Sequence, residues 1–276
     1  MTSKPRYKII PPSRLQLNLR EVWEYRELVY FFSWRDIKVK YKQTFLGILW
    51  VVLQPCLLVL LFVGIFGNLT PASSESRTGY AAYVLSALVF WQLFSSIISA
   101  TGESMLSNGP ILKKIYFPRL IIPLSIVLTA LVDFIVSIVV FLILCLVFSQ
   151  PISLYHIPHF MAAIVLDILL AFSLGSIIGT LNVKYRDFRY VVPFILQLLF
   201  FATPIVYKVV VFKNELIRKL LMVNPVSAVI ELSRSLLSSE PPNYQVILTG
   251  IVTTLILFVT ALVYFKRAEA YFADSL

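Results

Sequence analysis

The sequence predicts an all-α integral membrane protein. Each subunit is expected to have six transmembrane helices, an N-terminal amphipathic helix at the membrane interface, and short extracytoplasmic helices between spans five and six. Three observations predict this. Of the 276 residues, 59% are apolar and only 14% are charged, against about 25% charged in ordinary soluble domains. The apolar residues fall in runs of about 20, the length a helix needs to cross a bilayer. Lys and Arg are divided unevenly between the two sides that those runs define.

These features exclude a soluble enzyme and a secreted disulfide scaffold. The net charge of +10 is not a nucleic-acid footprint, because ten of the 24 Lys and Arg lie in residues 1–44 and most others in short loops. Cys56 and Cys145 fall inside apolar runs and read as packing residues. His156 and His159 share one loop without further ligands, so no metal site is expected.

Taken in order, the chain begins with a cytoplasmic arm, 1–44. Asn18 followed by Glu21 is a capping-box-like start. Leu19, Val22, Tyr25, Val29 and Phe32 then recur at helical spacing, with Trp23 beside the stripe and Arg20, Glu21, Glu24, Glu27 and Arg35 elsewhere. Such a helix can lie flat in the membrane interface or pack on a neighbouring domain. The polar arm is too long for a cleavable signal peptide.

The six-helix domain, 45–265, divides into spans at 45–68, 80–101, 119–148, 159–181, 191–207 and 245–265, and 266–276 is a tail. Helices are the economical way across, since backbone groups in lipid must bond within the segment. The third span is long enough to tilt or protrude. Eighteen Lys and Arg fall on the side of the arm and tail and six on the other. Both termini are therefore expected in the cytoplasm.

Two segments outside the spans stand out. Asn108-Gly109-Pro110 is a strong break, Pro110 suits a first helical turn and Pro118 stops it, which predicts a cationic helix of about two turns carrying Lys113 and Lys114. It reads either as a connecting turn or as a handle for a cytoplasmic partner. In the 208–244 loop, Phe212, Leu216, Leu220 and Leu221 follow helical spacing; Asn224-Pro225 is a cap and first-turn proline, and Val226, Val229, Ile230 and Leu237 continue a second stripe. Two short amphipathic helices are expected here, re-entering the outer leaflet or capping the bundle.

Asp133 and Asp167 are the ionisable residues well inside the spans. Such groups are costly in a bilayer, by roughly 2.5–3.5 kcal/mol, and are functional candidates by default. A proton-coupled exporter would use them; the structural alternative is a carboxyl hydrogen-bonded near Thr129, Ser137 and Ser173. Aromatic residues exceed what interfacial belts require. Tyr80, Tyr83, Trp91, Phe94, Phe200, Phe201 and Tyr207 are candidates for a path whose rings meet sugar faces, with helix packing as the ordinary alternative for each. No Gly-Lys-Ser/Thr follows any of the nine glycines, so no phosphate-cradling loop is present. With no nucleophile–base pair either, the chain is not expected to be an enzyme or to hold a cofactor.

The run from Arg35 through Asp36, Lys38, Lys40 and Tyr41 to Trp50 and Pro55 resembles the opening signature of permeases in type-two ABC exporters of polysaccharide and polyol phosphate. These are the exporters of O-antigen, capsule and teichoic acid. Phe117-Pro118-Arg119, the stretch from Asn182 to Asp187, Thr203-Pro204-Ile205 with Tyr207, and Asn224-Pro225 match in the same order. The resemblance implies a bacterial inner-membrane homodimer flanked by two cytoplasmic ATPase subunits, which bind the ATP and Mg. Its substrate would be a lipid-linked glycan, its surroundings membrane lipid, and nucleic acid no partner.

By that resemblance residues 18–34 are the interface helix. Trp23, Arg35, Asp36, Lys38, Lys40 and Tyr41 would form the interface and the approach to the first span. Pro110, Ile111, Leu112, Lys113, Lys114 and Tyr116 would dock on the ATPase, with Arg186 and Asp187 in a second contact. Phe212, Leu216, Asn224 and Pro225 would belong to the gate helices on the far side. The competing reading is a proton-coupled lipid or drug exporter using Asp133 and Asp167. A membrane-embedded glycosyltransferase would need a charged catalytic cluster at the interface, which the sequence does not offer.

Overall fold

The computed structural model describes residues 19–42, 47, 49–66, 77–185, 187–209, 214–237 and 241–275. Its elements are all helical: α1 Leu19–Glu24, α2 Arg26–Lys42, α3 Leu49–Phe66, α4 Arg77–Ser107, α5 Gly109–Leu112, α6 Ile121–Val147, α7 Ile157–Lys184, α8 Phe188–Phe201, α9 Glu215–Val223, α10 Pro225–Arg234 and α11 Tyr244–Ser275. Short 3-10 turns cover Leu154–His156 and Ser235–Leu237. The helix start expected at Asn18, and the candidates Arg186 and Phe212, lie outside the described residues.

Among the described residues, four helices, α4, α6, α7 and α11, are long and apolar enough to cross a membrane. α9 and α10 pass that test only as a pair, bent by 83° at Asn224. α3 and α8 are apolar but shorter, and they occupy the positions of the first and fifth expected spans. The chain alternates between two ends of this bundle. At one end Phe32, Met105, Phe117, Ile121, Val183 and Phe265 share a buried cluster, which brings the arm and the start of the tail together. The other end collects the turns after α6, α8 and α10.

The centre is built on α4, the most enclosed of the four long helices. It packs closely with α7, because Gly175 and Gly179 let the two backbones approach. A Cβ on Gly179 would lie 2.7 Å from the Thr101 carbonyl oxygen. Asn182 closes the seam, donating from Nδ2 to Gly102 O at 2.9 Å. Small residues of this kind, not hydrophobic pressure, decide where helices meet in lipid. α10 is pressed into the same core, with Val226, Ala228, Val229, Ile230 and Leu232 all buried.

Helix ends follow from local chemistry. α6 closes with Ser149 at φ 51°, and the Gln150 N–H reaches back to Cys145 O at 2.9 Å, a left-handed C-terminal cap. α9 and α10 each start at an asparagine, Asn214 and Asn224, whose Oδ1 accepts the N–H two residues on.

Three elements depart from the sequence expectation. The short cationic helix expected after Asn108 is one turn, Gly109–Leu112, and not two. Lys114 N and Ile115 N both turn to Ile111 O, which ends the ladder before the chain descends to bury Phe117. α8 stops at Phe201, six residues before the fifth span was drawn to end at Tyr207. Pro204 has no N–H to continue it, and the Thr203 hydroxyl turns back to Leu199 O at 2.7 Å. The arm helix runs on to Lys42, well past residue 34.

That extension changes the arm's geometry. Ser33 Oγ donates to Ser125 O at 2.9 Å, while Tyr41 donates to the Asp133 carboxylate. Both helices advance eight residues between these contacts, about 12 Å. The second half of α2 therefore runs alongside α6 in the same direction, in place of lying wholly across the bundle end. Trp23, Tyr30, Phe31 and Trp34 stay exposed on its outer side, the side chains suited to a headgroup layer.

Candidate functional site

The α2–α6 contact roofs a cavity of about 480 Å³. Its walls come from the end of α2 (Lys40, Tyr41), from α3 and the glycine before it (Gly47, Trp50, Val51, Gln54), from α4 (Val89, Gln92, Leu93, Ser96) and from α6 (Ala130, Asp133, Phe134, Ser137). Asp133 and Ser137 stand twelve and sixteen residues into α6, so the cavity lies deep along the bundle and not at its rim.

Lys40 Nζ is ion-paired with Asp133 Oδ2, and the Tyr41 hydroxyl donates to Asp133 Oδ1. The Asp133 side chain is 12% exposed and that of Lys40 46%. The long lysine stem thus carries its charge down to a carboxylate inside the bundle. The hydrogen bonds expected from neighbouring hydroxyls are absent at this carboxylate. Ser137 donates to the Asp133 main-chain carbonyl and Thr129 to Ser125 O, because both obey the helical i−4 geometry. The sequence placed Lys40 and Tyr41 on the approach and Asp133 in a span; the fold brings them together.

Gln92 and Ser96 were not singled out from sequence; Trp50 and Gln54 lie within the signature run without an assigned role, and Ser137 was read only as a neighbour of Asp133. Gln92 Nε2 points to Gln54 Oε1 at 3.4 Å across the cavity wall. Two amides within otherwise apolar runs were the available signal. One cation, an indole, a phenol, two amides and two hydroxyls can hydrogen-bond and stack on a hydroxylated ligand.

Asp167 is the opposite case. It is fully buried, and neither carboxylate oxygen has a hydrogen-bond partner among the described residues. Ser173, its expected neighbour, bonds Leu169 O. Asp167→Asn therefore removes no hydrogen bond, and its Tm in detergent is expected to match wild type within about 3 °C.

The aromatic candidates separate into three sets. Tyr80 and Phe94 lie on the buried face of α4, so they pack the subunit and line no open surface. Trp91 and Phe200 meet edge to face at 5.4 Å, Phe200 also stacks near Phe62 at 6.0 Å, and Phe201 is exposed beside them. Tyr83 and Tyr207 are half-buried at the end away from the arm.

At the arm end a second surface forms. Arg35 Nη2 donates to Asn108 Oδ1 at 3.0 Å, pairs with Asp36 at 2.8 Å and lies over Phe32, whose ring is 5.6 Å from Phe117. These contacts fix the turn after α4 on the arm. Pro110, Lys113, Lys114 and Ile115 project from it, with Tyr116 79% exposed and Ile111 and Leu112 half-covered. Glu103 and Arg189 pair at 3.5 Å, which sets exposed Asp187 and Tyr190 near the same end. Lys38 lies over Trp34 on the outer side of the arm. At the other end Leu216 is exposed on α9, and Pro225 opens α10 behind the Asn224 cap.

The long apolar helices, the recessed, largely apolar cavity with its few polar groups, and the exposed basic turn held against the arm define a multi-pass membrane protein. Residues 27–238 match the ABC-2 type transporter family, and the chain belongs to it. It is 26% identical over 260 residues to the O-antigen export system permease protein RfbA of Myxococcus xanthus, covering 94% of this chain and 98% of that one. It is 29% identical over 254 residues to RfbA of Klebsiella pneumoniae, covering 91% and 95%. Against the polysialic acid transport protein KpsM of Escherichia coli the identity is 24% over 242 residues, covering 86% and 92%.

Proposed function

We propose that this chain is the membrane-spanning subunit of an ATP-driven exporter that moves a lipid-linked polysaccharide, of the O-antigen, capsule or teichoic-acid kind, across the bacterial inner membrane. One observation carries the reading: the similarity to the O-antigen permeases runs through nearly the whole of both chains, so it takes in the cavity, the basic turn and the bent helix pair together. Two copies form the channel. Two separate ATPase subunits bind ATP and Mg and supply the driving force, and the permease itself catalyses nothing.

In this scheme residues 1–44 are the arm on the cytoplasmic side, whose end at Lys40 and Tyr41 reaches into the bundle, 45–265 cross the membrane six times with α3 and α8 completing the count, and 266–276 form a cytoplasmic tail. Arm and tail meeting at one end supports that topology, as does the excess of cations there. The glycan's hydroxyls meet the amides and serines of the cavity, and Trp91, Phe200 and Phe201 offer faces further along. The turn from Pro110 to Tyr116 docks on the ATPase with Arg186 and Asp187 beside it, while α9 and α10 gate the far side. ATP closure favours one state of the ATPase pair, and the docked turn passes that preference to the bundle.

Purification from native membranes in mild detergent, with mass spectrometry of what stays bound, tests the assignment. An ATPase in equal stoichiometry is expected, and ATP-driven glycan export should follow in reconstituted vesicles. A chain that repeatedly purifies without an ATPase, yet transports under a proton gradient, overturns it. Lys113→Glu and Lys114→Glu should each reduce ATPase co-purification about fivefold or more, as rim charge reversals weaken docking, with Tm unchanged because both side chains are exposed. Full co-purification and export in both variants would remove this turn from the mechanism.

A further inference from the structure

Where α8 ends, the chain does not simply loop away. Residues 202–208 are irregular, and five main-chain carbonyls at this break are held by side chains. The Tyr207 hydroxyl donates to Phe201 O at 2.7 Å and Asn224 Nδ2 to Ala202 O at 3.3 Å. Arg234 Nη2 donates to Ile205 O at 2.6 Å, the Tyr80 hydroxyl to Val206 O at 2.9 Å and the Tyr83 hydroxyl to Tyr207 O at 3.3 Å. Backbone groups released by a broken helix in an apolar setting require such partners. Here one donor, Tyr207, belongs to the segment itself, and the others come from α4, from the α9–α10 junction and from the last residue of α10.

Arg234 stands apart from the others. Its Cζ lies 3.6 Å from the centroid of the Tyr83 ring. The same ring has Lys208 Nζ at 5.6 Å. Arg234 thus touches both the α4 face and the 202–208 segment, and it is the charged donor in the set. Yet it makes no ion pair among the described residues, and its Nε is buried with no hydrogen-bond partner. Ile205, whose carbonyl it holds, is fully buried.

A guanidinium held by one carbonyl and one ring, with the Glu231 carboxylate near but not paired to it, is only partly compensated for lost water. A carboxylate in the same place would make a tighter and less reversible joint. The incomplete satisfaction matters for a moving part. When the far end opens, water replaces part of what the carbonyl and ring provided, so parting the contact costs about as much as one hydrogen bond and far less than a buried ion pair would.

We propose that Arg234 is the positioning residue of a catch: seated on Tyr83 and on the Ile205 carbonyl, it holds α10, the end of α8 and α4 in their resting arrangement and is released during each transport cycle. The proposal rests on the reading of α9 and α10 as the gate on the far side.

The test uses the complete permease–ATPase complex in proteoliposomes, with a small hydrophilic dye trapped inside. Arg234→Gln should raise dye leak without ATP about tenfold, the effect of losing one charge-assisted hydrogen bond. Its Tm should stay within about 3 °C of wild type. Tyr83→Leu should leak similarly, and the double variant no more than either single one, because both break the same contact. Tyr83→Phe, which keeps the ring, should leak less than Tyr83→Leu.

Resting leak at the wild-type level in Arg234→Gln overturns the catch. So does leak that rises only in step with lost Tm, or multiplies in the double variant; either would make Arg234 a passive brace. Should Arg234→Gln not assemble, Arg234→Lys keeps the cation without the planar fork, and it must leak more than wild type for the proposal to stand. ATP-driven glycan export by the wild type in the same vesicles separates the two levels. Export with unchanged leak removes the catch alone, whereas no export removes the functional reading beneath it.

Discussion

Gly179→Ala is expected to lower the Tm of the purified complex by about 5–10 °C, although it adds a single methyl group. The new Cβ would lie 2.7 Å from Thr101 O, 3.6 Å from Thr101 C and 3.8 Å from Gly102 Cα. All three atoms are backbone, so no side chain can rotate aside and α4 and α7 must part. Parting also strains the Asn182–Gly102 hydrogen bond one turn further on. Overpacking typically costs about 1–3 kcal/mol, and about 3 kcal/mol corresponds to this Tm shift in a chain of this size. Gly64→Ala is the control, because nothing lies within 4 Å of its added Cβ. That variant should be neutral or stabilised by up to about 1 kcal/mol through helix propensity. Thermal scans in detergent decide it: a Gly179→Ala complex as stable as Gly64→Ala would mean that the α4–α7 seam is not the keystone described above.

The seam and the cavity differ in how far the sequence reveals them. Apolar run length is local information, which is why α4, α6, α7 and α11 fall where four of the spans were drawn. The α9–α10 bend is local too, since Asn224 caps and Pro225 opens the next helix whatever surrounds them. Rotation about a helix axis is not local. α4 is apolar nearly all round, and no periodicity distinguishes buried Tyr80 and Phe94 from half-exposed Trp91. Partners across the fold are further still from view. Lys40 and Asp133 are 93 residues apart in the chain, and Asp133 looked solitary because its counter-charge belongs to the arm and not to any span. Thr203-Pro204 was visible as a motif, but its consequence, a helix ended early and carbonyls handed to Tyr80, Tyr83 and Arg234, needs the tertiary neighbours.

Reversing the charge of Lys40 should cut glycan export about tenfold or more. Lys40→Glu sets a second carboxylate beside Asp133, whose side chain is 12% exposed, at the roof of the cavity. Breaking a buried pair costs about 3–5 kcal/mol. The Lys40 end is 46% exposed, so water screens part of the loss and about 2 kcal/mol is the better expectation. Asp133→Asn should be milder, because Tyr41 can still donate to the remaining carbonyl oxygen and no charge is left unpaired. The exchange Lys40→Asp with Asp133→Lys rebuilds the pair with its ends swapped and should recover a substantial part of export, measured in vesicles with ATP. The same three variants also separate the transport mechanisms. If protons crossing through Asp133 drove transport, Asp133→Asn would abolish it outright, and the exchange, which puts a lysine in place of the titrating carboxylate, could not restore it. Recovery by the exchange would instead show that the arm must be tied to α6 for the cavity to work, and that the sign of charge at each end matters less than the bond between them.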